Sequence, residues 1–219
     1  MSISVGIQEM VRSDIGSSGV AFTLDTESGY RGAIFVTSSY GLGEGIVQGS
    51  VNPDEFYVFK DALKNDKFPI LKKTLGEKEK KMIFANNNKA GKSVKYVKVA
   101  EEDTKNFSIS NNEIIKLSKY AQIIEEHYKV PMDIEWAKDG MNGEIYILQA
   151  RPETVQSKVT DYYEKFTLQQ KSKLIVSGKS VGQKIGSGTA KIIKDISEIN
   201  KIREGDVLVT DMTDPDWEP

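Results

Sequence analysis

A polar face on two short predicted strands is the part of this sequence best suited to chemistry. The stretch MDIEWAKDGMNGEIYILQARPET, residues 132–154, is typical of two β-strands joined by a glycine-containing turn. Alternation along a strand places Asp133 and Glu135 on one face, and likewise Gln149 and Arg151 on one face of the second strand. The side chains share a single face if odd-numbered residues pair with odd-numbered residues, which the short turn permits but does not require.

Two carboxylates and an amide oxygen are suitable ligands for a hard cation such as Mg²⁺. This ion takes one or two protein carboxylates and fills its other positions with water and phosphate oxygens. A guanidinium group such as that of Arg151 forms a forked contact with phosphate. The alternative interpretation is a solvated hairpin face on which Glu135 and Arg151 form an ordinary ion pair, and residue types alone leave both interpretations open.

Two glycine-rich loops beside predicted strands are candidate phosphate-binding segments. The first glycine-rich loop is residues 13–19, and the second glycine-rich loop is residues 41–49. Backbone N–H groups in such loops can surround a phosphate, and glycine allows its close approach. Neither loop is followed by the Gly-Lys-Ser/Thr of a Walker loop, and a tight turn explains each one equally well when taken alone. Glu44 is harder to explain, because its carboxylate would repel phosphate unless a cation lay between them.

Composition and charge exclude several classes of protein. The 219 residues are 38% hydrophobic and 28% charged with a formal net charge of −2, so neither nucleic acid nor an anionic membrane surface is favoured as a partner. The absence of cysteine excludes disulfides, thiolate metal sites and cysteine nucleophiles. No apolar run approaches the roughly 20 residues that cross a bilayer, and no secretion signal opens the sequence, so we expect a cytoplasmic protein.

The predicted elements that position these residues are mostly strands. Strands are expected over residues 5–11, 20–24, 33–38, 54–60, 68–71, 81–84, 92–99, 174–180, 188–194 and 205–210. A helix is predicted over residues 111–129, where Ser110 and Glu113 form a capping box, and a second helix is predicted over 162–173. A boundary near residues 156–159 divides the chain into domains 1–155 and 156–219, and the second, at about 60 residues, is small for an independent core.

The only histidine is not a candidate for catalysis. His127 lies in the last turn of the predicted helix, where the helix dipole favours a cation, and we interpret it as a half-buried helix residue. Three acidic residues near the end of the sequence are interpreted as part of an exposed loop, namely Asp211, Asp214 and Asp216.

Five motifs, in order along the chain, resemble the phosphoenolpyruvate synthase (pyruvate, water dikinase) family. They are MVRSDIGSSGVAFTLD, SYGLGEGIVQGSVNPDEFYVFK, MDIEWAKDG, IYILQARPET and MTDPDWEP. The resemblance covers nearly the whole chain and is weakest over the lysine-rich residues 61–112. It implies an α+β fold, with the C-terminal subdomain of an ATP-grasp domain followed by the opening of a swivelling phosphohistidine domain of β/β/α type.

The same resemblance implies a site for ATP and Mg²⁺ on the predicted hairpin. By resemblance, Glu135 and Gln149 are the Mg²⁺ ligands. Asp133 and Arg151 match further positions that line the nucleotide site in the family. The polar face of the hairpin is therefore expected to hold Mg²⁺ against the phosphates of ATP.

The resemblance also implies roles for the two glycine-rich loops and for a phosphate-accepting histidine. Ser18 and Glu44, on the two glycine-rich loops, match positions that face the nucleotide. The family converts ATP, pyruvate and water into AMP, phosphoenolpyruvate and phosphate through a phosphohistidine. The histidine that accepts phosphate follows the DPDWEP motif, whereas this sequence ends at Pro219, and His127 does not match it. We therefore expect a part of a longer enzyme that has no catalytic residue of its own, with pyruvate bound only by the full-length enzyme.

Two other functions remain open at this point. A rifampicin-type antibiotic phosphotransferase shares both domains, although the NPDEF and DPDWEP motifs favour the synthase. A non-catalytic nucleotide-binding module is consistent with the missing phosphate acceptor. An incomplete nucleotide cleft would also expose surface that the intact enzyme buries, which favours self-association into a homo-oligomer.

Overall fold

The computed structural model describes residues 5–65, 67–85, 93–154, 167, 169–170, 173–174 and 185–210. The chain divides into two compact units, Met1–Leu168 and Gln169–Pro219. The predicted boundary near residues 156–159, most of the predicted helix over 162–173 and most of the predicted strand over 174–180 lie outside the described residues. The assignment of domains 1–155 and 156–219 to particular folds therefore stays a prediction.

The first unit is built on an antiparallel sheet. Its strands are β1 (Ser17–Phe22), β2 (Ala33–Tyr40), β3 (Asp54–Phe59), β4 (Ile70–Thr74), β7 (Met132–Lys138) and β8 (Ile145–Pro152). They form a six-stranded sheet in the order β4-β3-β2-β1-β7-β8, with each strand antiparallel to its neighbours. A separate antiparallel hairpin consists of β5 (Lys80–Phe84) and β6 (Val94–Lys98).

One long helix covers one face of the six-stranded sheet. The helices are α1 (Glu44–Val47), α2 (Lys60–Lys64), α3 (Glu101–Thr104) and α4 (Asn111–Tyr128). Apolar side chains from alternate strand positions and from one stripe of α4 form the core, which includes Ile34, Val36, Phe56, Ile114, Leu117, Ala121, Met132, Ile134 and Trp136. The opposite face of the sheet, called the outer face below, carries the intervening strand residues. The α+β class predicted from the sequence is confirmed.

The boundaries of α4 follow from local hydrogen bonding. The capping box predicted at Ser110 and Glu113 is present, because the Ser110 side chain accepts from the Glu113 N–H and the Glu113 side chain accepts from the Ser110 N–H. The helix ends where Lys129 adopts a left-handed conformation with φ of 62°. The predicted helix over 111–129 is therefore confirmed to within one residue.

Three predictions of local structure are wrong. His127 lies in the last turn of α4 as expected but is exposed rather than half-buried. Residues 5–11 do not form a strand, and Val5 and Ile7 are 84% and 96% exposed. Their alternating pattern is typical of a strand, but no described strand lies beside them to complete the hydrogen bonds that a strand requires. The second glycine-rich loop is not entirely a loop either, since it contains α1, a single helical turn that begins at Glu44.

A fully buried ion pair joins the lysine-rich segment to the sheet and to the entrance of α4. The Lys78 ammonium lies 2.5 Å from the Asp54 carboxylate, and both side chains are 0% exposed. Asp54 also accepts from the Gly76 N–H at 3.0 Å and from the N–H and hydroxyl of Ser108 at 2.8 and 2.7 Å. Because Ser108 gives its only hydroxyl hydrogen to the carboxylate, the Ser38 hydroxyl donates to Ser108 at 2.7 Å.

The second unit contains a small parallel strand pair. Strands β9 (Thr189–Ile192) and β10 (Asp206–Val209) pair in parallel. A 3₁₀ segment at Ile196–Lys201 lies between them, and the Asp195 carboxylate caps its start by accepting from the Ser197 N–H at 2.9 Å. Both strands were predicted from the sequence, over residues 188–194 and 205–210.

We expect Lys78→Met to lower the free energy of unfolding by about 3–5 kcal/mol, because the Asp54 carboxylate would remain buried without its counter-ion. Urea denaturation followed by circular dichroism measures this change. Lys105→Met is the matched control, since the Lys105–Glu101 pair is 71% and 83% exposed and contributes about 0.5 kcal/mol at most. Equal unfolding midpoints for the two variants would contradict the assigned importance of the buried pair.

Candidate functional site

The β7–β8 hairpin brings together the four strand residues selected from the sequence. Asp133 lies directly opposite Arg151, and Glu135 lies directly opposite Gln149. The sequence left this register open, and the structure pairs odd-numbered with odd-numbered residues at these two positions. Met132, Ile134 and Trp136 of β7 point into the core, so Asp133 and Glu135 lie on the outer face.

A β-bulge in β8 is responsible for the orientation of Gln149. The partner of Glu135 is Gln149, but the partner of the next residue, Trp136, is Ile147, so Leu148 is an extra residue in β8. Strict alternation would place Ile147 and Gln149 on the same face. The bulge instead allows Ile147 to pack against the core while Gln149 faces outward with the carboxylate of Glu135.

An ion pair fixes the guanidinium at this site. The Arg151 Nε and Nη2 atoms both lie 2.8 Å from Oδ2 of Asp133. The pairing of Arg151 with Glu135 is therefore wrong, because Arg151 pairs with Asp133 instead. The interpretation of the hairpin as a solvated face is not decided by this contact. The Asp133 side chain is 13% exposed, whereas that of Arg151 is 62% exposed, so the arginine side chain remains largely accessible to solvent.

The Glu135 and Gln149 side chains, unlike those of Asp133 and Arg151, are without a side-chain partner among the described residues. Within the described part of the chain, neither side chain makes a hydrogen bond or an ion pair. Since Arg151 offsets the charge of Asp133, Glu135 is the carboxylate without a counter-ion among these four strand residues. No group of three His, Cys, Asp or Glu side chains among the described residues is arranged for a metal ion. A cation held by Glu135 and Gln149 would therefore obtain most of its ligands from another molecule.

Strand β1 places Ser18 next to this pair. Glu135 lies opposite Val20 and Ala137 lies opposite Ser18, so Ser18 is a diagonal neighbour of Glu135, at about 7–8 Å. The Ser18 side chain is buried, and its hydroxyl donates to the Gly41 carbonyl at 2.6 Å. In this structure the hydroxyl predicted to face a nucleotide therefore supports the second glycine-rich loop.

The two glycine-rich loops are bonded to each other at this end of the sheet. The Gly41 N–H donates to the Gly16 carbonyl at 3.2 Å, in addition to the bond between Ser18 and Gly41. A Cβ atom on Gly43 would lie 3.4 Å from the Ser18 hydroxyl oxygen, so Gly43 lies against Ser18. A Cβ atom on Gly16 would lie only 2.2 Å from the Lys138 carbonyl oxygen, so the first loop packs directly on the end of β7.

Glu44 follows Gly43 directly and is the first residue of α1. Its side chain is exposed, and its carboxylate accepts from the Gln48 amide at 2.9 Å. The loop contacts bring the backbone near Glu44 to Ser18, which is itself a diagonal neighbour of Glu135. Its proposed place facing a nucleotide stays a prediction.

An ion pair that sequence reasoning missed anchors the first glycine-rich loop. Arg12 Nε and Nη2 donate to the Asp14 carboxylate at 2.8 and 3.0 Å, and the Arg12 N–H donates to Asp139 at 3.0 Å. The hydrogen bond from Arg12 lowers the pKa of Asp14 against the opposing effect of burial, and the Arg12 charge lowers it further. The only signal in the sequence is the RSD triplet in the first motif. These contacts hold the loop against the β7–β8 turn.

Comparison with known proteins identifies the class to which this arrangement belongs. Residues 1–172 match the model of the family described as pyruvate phosphate dikinase, AMP/ATP-binding domain. The match extends over more than half of the chain, and the chain belongs to this family. The family description supports an adenine nucleotide as the ligand of the domain. Within the described residues, no helix is both long enough and apolar enough to cross a membrane.

The similar relatives are phosphoenolpyruvate synthases. The chain is 57% identical to the protein of that name from Neisseria meningitidis serogroup B, 54% identical to that from Pseudomonas aeruginosa and 52% identical to that from Escherichia coli K12. Each alignment covers 100% of this chain and 28% of the relative. The resemblance drawn from the five sequence motifs is confirmed, and the chain spans 28% of the length of these relatives.

We expect Gly16→Ala to lower the free energy of unfolding by about 1–3 kcal/mol, because the added methyl group would overlap the Lys138 carbonyl and force the backbone to move. Thermal unfolding measures the effect. The matched control is Gly6→Ala, where a Cβ atom meets nothing within 4 Å. Gly16→Ala unfolding at the same temperature as Gly6→Ala would show that the first loop is not held against β7 as described.

Proposed function

We propose that this chain provides the part of a phosphoenolpyruvate synthase that holds Mg-ATP. The observation that carries the proposal is the opposed Glu135 and Gln149 side chains, which have no partner among the described residues and lie beside a fixed guanidinium. They belong to a domain whose family description includes ATP. In this proposal the longer enzyme converts ATP, pyruvate and water into AMP, phosphoenolpyruvate and phosphate through a phosphohistidine. The names of the relatives favour this function over a rifampicin-type phosphotransferase.

The chemistry of the donor pair fits Mg²⁺. Glu135 supplies one anionic oxygen and Gln149 supplies one neutral oxygen, and among the described residues neither is committed elsewhere. Mg²⁺ is commonly bound by one or two protein oxygens while phosphate oxygens and water complete the coordination. When bound, the ion would offset charge on the ATP phosphates. Because the Asp133 carboxylate is engaged by Arg151, it leaves Glu135 as the stronger metal ligand.

The Asp133–Arg151 pair supports a second role, contact with phosphate. Asp133 binds Nε and Nη2 of the guanidinium and so fixes its plane, while the Arg151 side chain as a whole stays 62% exposed. A fixed guanidinium loses little conformational entropy when it forms charge-assisted hydrogen bonds to phosphate. Phosphoryl transfer depends mainly on such positioning and charge neutralisation, so these four strand residues supply what the reaction requires from this part of the protein.

The two glycine-rich loops form the neighbouring wall of the proposed site. Ser18 holds the second loop through the Gly41 carbonyl, and Glu44 follows the point at which that loop meets Ser18. In this proposal Glu44 faces the nucleotide through a bound cation, which avoids repulsion between its carboxylate and the phosphates.

The remaining parts of the proposal concern the longer enzyme. Residues 1–155 would be the C-terminal subdomain of an ATP-grasp domain, and residues 156–219 would be the opening of the swivelling phosphohistidine domain. The phosphate-accepting histidine and the pyruvate site would belong to the length of the relatives that this chain does not span. A cytoplasmic location and assembly into a homo-oligomer are also part of this proposal.

Calorimetric titration of Mg-ATP into the purified chain tests the proposed site. We expect the Glu135→Ala/Gln149→Ala variant to bind Mg-ATP at least about 10-fold more weakly, because both protein ligands of the ion are removed. Chelation of Mg²⁺ is expected to weaken binding to the unsubstituted chain to the same extent.

Glu126→Ala is the matched control for this titration. Its carboxylate lies on α4, is exposed and pairs only loosely with Lys64 at 3.5 Å, so its loss is expected to leave Mg-ATP binding unchanged. Metal-independent binding, or equal affinity of the double variant and this control, would reject the Mg²⁺ site. Binding by the chain without any phosphoryl transfer would fit a nucleotide-binding part of a longer enzyme.

Arg151→Lys tests the contact with phosphate separately. Lysine keeps the positive charge but lacks the planar fork that Asp133 holds in place. We expect about a 10-fold loss of affinity for Mg-ATP, which corresponds to one charge-assisted hydrogen bond, with Mg²⁺ dependence retained. A variant with unchanged affinity in calorimetry would show that the guanidinium of Arg151 only pairs with Asp133.

A further inference from the structure

We propose that the β5–β6 hairpin is the support that positions the second glycine-rich loop, and that Tyr96 is a positioning residue for the nucleotide site. The inference deepens the proposed function and rests on it, since the loop matters there through its place beside Ser18 and Glu135. It assigns a role to part of the lysine-rich segment, residues 61–112, over which the family resemblance is weakest and for which the sequence indicates no function. The hairpin contacts the loop at two points.

The first point of contact holds the start of the loop. The Leu42 N–H donates to the Met82 carbonyl of β5 at 2.9 Å. Gly41 has a φ of +87°, and a Cβ atom on it would lie 2.5 Å from the same carbonyl oxygen. Only glycine meets both requirements without strain. Met82 itself is 4% exposed, so the strand that offers this carbonyl is firmly packed.

The second point of contact holds the end of the loop. The hydroxyl groups of Tyr96 and Ser50 lie 2.7 Å apart, and the Ser50 hydroxyl also lies 3.0 Å from the Gly45 carbonyl. A carbonyl only accepts, so Ser50 gives its single hydroxyl hydrogen to Gly45, and Tyr96 must donate to Ser50. Successive bonds of this kind strengthen each other. Tyr96 thus fixes the hydroxyl that caps a backbone carbonyl in α1.

The Tyr96 ring is itself held within the hairpin. The Lys80 ammonium lies 4.8 Å from the centre of the ring, across the β5–β6 pair. Gly45 also lies close to the phenol, since a Cβ atom there would be 3.4 Å from the Tyr96 hydroxyl oxygen.

Gly43 and Glu44 lie between the two points of contact. Gly43 packs against Ser18, and Ser18 is the diagonal neighbour of Glu135. Two anchors on either side of a short backbone segment restrict its position relative to the sheet. The hairpin therefore determines where Glu44 lies with respect to the proposed Mg²⁺ ligand Glu135, although neither strand of the hairpin carries a residue of the proposed site.

The test compares Tyr96→Phe, Ser50→Ala and the double variant with the unsubstituted chain. Tyr96→Phe removes one hydroxyl and keeps the ring that contacts Lys80. We expect hydrogen exchange of the backbone amides in residues 45–50 to become about 3- to 10-fold faster, as the loss of one hydrogen bond predicts. We expect Mg-ATP affinity to fall about 3- to 10-fold, with an unchanged thermal unfolding midpoint. The double variant should resemble Ser50→Ala, because both residues act through one chain of bonds.

Tyr128→Phe is the matched control, an exposed tyrosine at the end of α4, on the other side of the sheet. Unchanged exchange in Tyr96→Phe would overturn the inference whatever the chain binds. Faster exchange with unchanged Mg-ATP affinity would overturn the role of Tyr96 in the nucleotide site. If the unsubstituted chain binds no Mg-ATP, the proposed function fails, whereas faster exchange confined to the loop would still support the hairpin as its anchor.

Discussion

The carboxylate of Asp54 is the point on which the arrangement of the first unit depends. It accepts hydrogen bonds from Lys78, Gly76 and Ser108, which belong to segments distant in sequence. Asp54 opens β3, Ser108 precedes α4, and Lys78 leads into β5. A buried charge without partners is costly, so the carboxylate requires all three segments to meet in one arrangement. The position of the helix over the sheet and the position of the small hairpin beside it are consequently set together.

The effect of this constraint extends from the interior to the candidate site. The Ser38 hydroxyl donates to Ser108, and Ser38 lies in the part of β2 that leads into the second glycine-rich loop. The same loop rests on β5, whose approach is fixed by Lys78. Strand β7 links the core to the candidate site, because Trp136 and Ile134 pack in the core while Glu135, which lies between them in sequence, is on the outer face. The site is a surface whose geometry is determined by buried contacts.

Sequence patterns predicted the elements that a single local pattern defines, such as strand alternation or a helix capping box. Alternation was sufficient to place Asp133 and Glu135 on one face of their strand, and the capping box was sufficient for the start of α4. The register that places Glu135 opposite Gln149 was left open by the sequence. The bulge at Leu148 could not be predicted, because one extra residue has no signature in a pattern of period two. The burial of Lys78 could not be predicted from the sequence either. A lysine within a charged run is expected to be solvated unless the fold buries it together with a counter-ion, which here is Asp54. Contacts between distant segments account for what the sequence left open.

The bulge in β8 has a consequence for how the protein behaves among copies of itself. Within the described residues β8 is an outermost strand of the sheet, and outermost strands invite pairing with strands of other molecules. An extra residue at Leu148 interrupts the regular spacing of backbone donors and acceptors, and a proline at position 152 removes one donor. Continuous intermolecular sheet growth along this strand is thereby disfavoured. The irregularity that turns Gln149 to the outer face therefore also makes this edge a poor template for pairing with another copy of the chain.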